Sequence, residues 1–128
     1  MTNLTKHMTN LTKLLNFEYD WGVRAVPIPD HTQETLERYL VYGLRPGGFV
    51  SAMLAMDMQA ALNSADHRNR EAMHSIGFWI MHNAPPGSWG SYEQIETWCR
   101  DPHQQRWRFK HELEKQYVWR SLKEKNHA

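Results

Sequence analysis

Cysteine is almost missing from this 128-residue chain: Cys99 stands alone, which excludes an intrachain disulfide and any zinc site built on cysteine pairs. Long apolar runs are missing as well. The longest stretch free of Asp, Glu, Lys and Arg runs from Ala72 to Tyr92, and Asn83, Pro85-Pro86, Gly87 and Gly90 interrupt it, so no membrane span is expected. The opening Met1-Thr-Asn-Leu-Thr-Lys6 is too polar for the apolar centre of a secretory signal. A cytoplasmic location is therefore expected, and the Asn-Leu-Thr triplets at Asn3 and Asn10 are incidental matches to a glycosylation acceptor. A dominant charge is lacking: 15 Lys and Arg stand against 14 Asp and Glu, a net of +1 that points to no single class of partner. Two catalytic signatures are absent in the same way. Arg45-Pro-Gly-Gly48 lacks the Gly-Lys-Ser/Thr ending of a phosphate loop, and there is no His-Glu-x-x-His.

What is present describes an ordinary globular chain with unusual accents. Hydrophobic residues make up 41% and charged residues 23%, enough to pack one core, while six Trp, seven Met and eight His are conspicuous. Residues 1–6 recur identically as 8–13. Two seven-residue copies fall short of the three or four heptads that argue a coiled coil, so the repeat reads as a short tandem duplication. The division expected is an N-terminal repeat segment over residues 1–16 and a single helical domain over 17–128, including a basic C-terminal helix.

Helix signals recur along that domain. Asp30-x-x-Gln33, Ser91-x-x-Gln94 and Asp101-x-x-Gln104 resemble capping boxes, and Pro102 suits a first helical position. Helices are expected over about 31–42, 49–63, 67–83 with Asp66 as cap, 92–99 and 102–125. Phe17, Tyr19 and Trp21 alternate with acidic residues before Pro27 and Pro29, an extended pattern without a partner strand. The expected fold is all-α, a compact bundle of four to five helices with an extended N-terminal arm.

No complete chemical constellation emerges. His67, Glu71 and His74 share a helical face, and Glu71-x-x-His74 has the spacing of di-iron carboxylate bundles, but the only second pair is Glu124-x-x-His127 at the C-terminal end. No metal or other cofactor is expected. Asp57, inside Met53-Leu-Ala-Met-Asp-Met58, points into or beside the core and needs a partner there. Cys99 beside Trp98 reads as a packed thiol. Residues 1–99 carry 7 Lys and Arg against 10 Asp and Glu, whereas residues 100–128 carry 8 against 4. In Gln104-Gln-Arg-Trp-Arg-Phe-Lys-His111 basic and aromatic residues interleave, which suits a helix packed on the core with a basic outer face, or contact with nucleic acid. In Pro85-Pro-Gly-Ser-Trp-Gly-Ser91 the tryptophan is either a binding anchor or a lid over its own core.

From Ile28 to Asp101 the chain resembles a group of small proteins encoded by tailed bacteriophages and prophages. The resemblance rests on Ile28-Pro-Asp-His31, Leu36-Glu-Arg-Tyr39, Gly43-Leu-Arg-Pro-Gly-Gly-Phe49, Ala65-Asp66, Asn69, Gly87-Ser-Trp-Gly-Ser91 and Trp98. It implies a setting and no catalytic residues, since small phage proteins without virion signatures commonly act by binding a host protein. The expectation is a non-enzymatic protein, monomer or homodimer, that binds and modulates a host protein or complex of the defence or nucleic-acid-processing machinery. The alternative is a nucleic-acid-binding module using the C-terminal helix. The residues expected at the partner are Ser88, Trp89, Arg100, Arg106, Trp107, Arg108 and Lys110.

Overall fold

The computed structural model describes residues 14–18 and 26–126, with side chains as far as Lys123. The tandem repeat, Tyr19, Trp21 and the side chains of Glu124 and His127 lie outside the described residues. Among those described, regular structure is helical throughout, in seven helices: α1 (Asp30–Tyr42), α2 (Gly48–Leu54), α3 (Met58–Ser64), α4 (His67–Glu71), α5 (Met73–Asn83), α6 (Tyr92–Arg100) and α7 (Gln105–Asn126). The all-α bundle is as expected; the helix count is higher because two expected helices are each broken.

The first break converts residues 49–63 into α2 and α3. Met56 adopts a left-handed φ of 63°, and Asp57 leaves the helical path to become the cap of α3, its Oδ1 accepting from the Ala60 N–H at 3.1 Å. An Asp inside a helix competes for backbone donors, and here the cap wins over continuation. The second break, at Ala72, separates α4 from α5; Asp66 does cap α4, accepting from the Asn69 N–H at 2.7 Å.

Other ends follow local chemistry more closely. Gly43 closes α1 in the left-handed region at φ 71°, with the Gly43 and Leu44 amides donating to the Tyr39 and Arg38 carbonyls. A side chain there would also collide with Arg106, 2.6 Å from its guanidinium carbon. Asp30 does not cap α1: it is the first helical residue after Pro29, and the Gln33 side-chain amide instead donates to the Ile28 carbonyl at 2.8 Å. Ser91 caps α6 as read, accepting from the Gln94 N–H at 3.1 Å. α7 starts at Gln105 and not Pro102, because the Asp101 carboxylate reaches over the turn to accept from the Arg106 and Trp107 amides at 2.9 and 3.0 Å. In return Arg106 donates to the last carbonyls of α6, Trp98 at 3.2 Å and Cys99 at 3.4 Å.

The core gathers Leu36, Tyr39, Leu40 and Val41 of α1, Val50 and Leu54 of α2, Ile76, Trp79 and Ile80 of α5, and Ile95 and Trp98 of α6. Leu14 and Leu15 are buried in it too, their amides donating to the Glu37 carboxylate at 2.8 and 3.1 Å, so packing begins inside the expected repeat segment. Phe17 stacks on Trp79 at 4.6 Å between ring centroids, and the Trp79 indole donates to the Asn16 carbonyl. α7 packs through Phe109 and Leu113; beyond them Val118, Trp119 and Leu122 are exposed.

Candidate functional site

The break between α2 and α3 shapes the most distinctive surface. Residues from α2, the 55–57 turn, α3 and α5 enclose an open groove of about 380 Å³, in the size range of sites that hold small ligands or side-chain anchors. Five of the seven methionines line it: Met53, Met56, Met58, Met73 and Met81. Helical spacing explains the convergence. Met73, Gly77 and Met81 lie four apart on one face of α5, and Met58 and Ala61 lie three apart on α3. Met58 and Met81 are 71% and 58% exposed, well beyond what core packing leaves.

Polar groups are few and sit at the edge. The Asp57 carboxylate accepts from the Tyr92 hydroxyl at 2.7 Å as well as from its cap amide. The hydrogen bond from Tyr92, followed by that from Ala60, holds its carboxyl below the usual aspartate value, and the same bond raises the Tyr92 phenol. Among the described residues the ion pairs do not include Asp57. His74 also lines the groove, in a row of rings with Phe78 and His82 at 5.6 and 4.3 Å. Asp57 is thus half-buried beside the core, and the partner it needs is the N-terminus of α3.

The expected partner-binding residues separate into two sets. Ser88 is fully buried: its hydroxyl donates to the Pro85 carbonyl at 2.6 Å, and its carbonyl accepts from the Tyr39 hydroxyl at 2.7 Å. It is unavailable to a partner. Burial pushes the Tyr39 phenol far above its ordinary value, so it stays a donor. Trp89 is half-buried and packs against the core, and the loop is tied down by the Gly90 amide donating to the Leu54 carbonyl at 2.7 Å. Arg106 is half-buried, its guanidinium donating to the end of α6.

The outward set lies at the start of α7 and just before it. Arg100 and Arg108 are exposed, the latter donating to the His103 carbonyl at 3.1 Å. Trp107 is 55% exposed and stacks on His111, and Lys110 lies 5.1 Å over the Tyr42 ring with Glu114 nearby.

The histidine face disperses. His67 pairs with Glu71 at 3.3 Å while His74 turns to the groove. Among the described residues no group of three His, Cys, Asp or Glu is placed to hold a metal ion. Cys99 is half-buried, and burial, then the Glu96 carboxylate, pushes its thiol up, which keeps it protonated and unreactive. Arg45 in the glycine-rich turn pairs with Glu96. No described helix is long and apolar enough to cross a membrane.

Sequence reasoning missed Met56, Met58 and Met81 as surface residues; the one available signal was Asp57 set between methionines. No family model, curated protein or solved structure matches this chain.

Proposed function

We propose that this chain is a small phage-encoded protein that acts by binding, not catalysis, engaging a host protein or complex of the defence or nucleic-acid-processing machinery through the methionine-lined groove and modulating it. The observation that carries this reading is the convergence of five of seven methionines on one open groove. Methionine is flexible and polarizable, which suits a surface that must adapt to a partner's apolar side chains. A concave, mostly apolar surface with a few polar groups at hand is where a partner's apolar side chains are buried most readily. The likeness of residues 28–101 to small phage proteins supplies the setting.

The test is affinity capture from bacterial lysate treated with nuclease, comparing the parent chain with a Met58→Gln, Met81→Gln variant. Both positions are exposed, so the fold is retained. A stoichiometric host protein held by the parent and lost by the variant is the expected result. Equal retention by both overturns the groove as the contact surface.

A second reading has its own observation: Trp107 stacked on His111 in a segment that also exposes Arg108. Stacked aromatics with adjacent cations suit single-stranded nucleic acid. That reading requires affinity to fall steeply with added salt, since phosphate contacts release counterions.

A further inference from the structure

The groove is a trough between two helices. α3 and α5 form its sides, and Ala52, Ala61 and Gly77 keep its floor low; even a methyl added at Gly77 would reach the Met53 terminal carbon at 3.5 Å. On α5 the lining runs from Met73 to Met81, about 12 Å or two helical turns. The walls therefore repeat at helical spacing, and a third helix laid in the trough would place side chains at i, i+4 and i+7 between them. Flexible methionine walls accept Leu, Ile, Met or Phe without demanding one shape.

Charge narrows the occupant. Asp57 sits at the rim as a carboxylate whose two oxygens already accept from Ala60 and Tyr92, so it is fixed in place. No cation of the described residues pairs with it. A fixed rim carboxylate beside an apolar trough is complementary to an apolar stripe flanked by a lysine or arginine.

The chain's own α7 carries such a stripe in Val118, Trp119 and Leu122 with Arg120 and Lys123, but topology keeps it out of the groove of its own molecule. Gly77 and Met81 face the groove, whereas Trp79 and Asn83 face a separate hollow lined by Trp119. Two residues apart on a helix is about 200° around its axis, so groove and α7 lie on opposite sides of α5. Within one molecule α7 therefore cannot fill the groove.

We infer that the groove receives an amphipathic helix of a partner protein, with bulky apolar residues at i, i+4 and i+7 and a lysine or arginine beside them opposite Asp57. This rests on the groove being a binding site, and names what it binds.

The experiment uses the full chain carrying carbon-13 methyl methionine, observed by NMR. It is titrated with two synthetic helical peptides of about 15 residues that share one leucine stripe and differ in flanking it with Lys or with Glu. The Lys peptide is expected to shift the methyls of Met53, Met56, Met58, Met73 and Met81. It should bind about three- to fivefold more tightly than the Glu peptide, the scale of one exposed ion pair, and Asp57→Asn, which keeps a capping side chain, should erase that preference. Equal or tighter binding of the Glu peptide overturns the charge assignment and leaves the groove standing as a site. No shift in the five methyls with either peptide overturns the helix itself, while lysate capture still tests the binding reading. Shifts of the same five methyls on concentrating the protein alone would make a second copy the occupant and overturn the inference.

Discussion

The loop from Pro85 to Ser91 and the turn from Ala55 to Asp57 are both short connections carrying large side chains, and they end in opposite states. The loop holds a tryptophan between glycines and closes onto the core; the turn interrupts a run of apolar residues and opens to solvent. One hydrogen bond joins the two outcomes. In a continuous helix the Leu54 carbonyl would accept from the Met58 amide four residues on. Because the helix breaks after Leu54, that carbonyl is free, and the Gly90 amide takes it at 2.7 Å. The loop is closed by the acceptor that the broken helix releases. Exposure here is set by where backbone partners are found, and only secondarily by side-chain hydrophobicity.

The sharpest way to break the contrast is to truncate its closed half. Trp89→Ala should lower stability by about 2 kcal/mol, a partial version of the loss for a fully buried tryptophan, read as a lower urea midpoint. Met58→Ala on the open side should stay within about 0.5 kcal/mol. Tyr39→Phe should cost about 1–2 kcal/mol, because it leaves the buried Ser88 carbonyl without the hydroxyl that donates to it. Met56→Gly should raise stability by about 0.5–1 kcal/mol by relieving a left-handed non-glycine residue while leaving the break in place. Asp57 gives the finest distinction. Its carboxyl is lower in the folded chain than in the unfolded one, so its charge stabilises the fold above the usual aspartate value, and that contribution is lost as pH falls from there through the lower folded value. The parent should thus exceed Asp57→Asn in urea midpoint at neutral pH and approach it below about pH 4.

Much of the fold was legible because its signals are local. Gly43 ends its helix by donating its amide to a carbonyl four residues back, Asp66 and Ser91 start theirs by accepting from amides three residues on, and those positions are as read. Asp101 misleads for a physical reason: its carboxylate skips the next turn and caps the helix beyond it. The break at Ala72 carries no residue with a local reason to stop a helix. The groove was illegible because Met53 and Met81 are far apart in sequence, and only the packing of α5 against α2 makes them neighbours. Tyr39, Ser88 and Trp98 turn inward to tie loop and helices together, and His31, Thr32, Asp66 and Asn69 link the starts of α1 and α4 through hydrogen bonds.

The exchange between Asp101 and Arg106 has a consequence for how the molecule comes apart. Each side chain satisfies the backbone of the other's helix, so the last turn of α6 and the first turn of α7 cannot fray independently. They form one cooperative opening unit, and hydrogen exchange should give the Asp101, Arg106 and Trp107 amides a common opening free energy. The far half of α7, past Leu113, has no such clasp and should exchange first. A long helix that looks continuous is thus two thermodynamic segments, one clasped to the body by side-chain-to-backbone bonds and one set more loosely beside it.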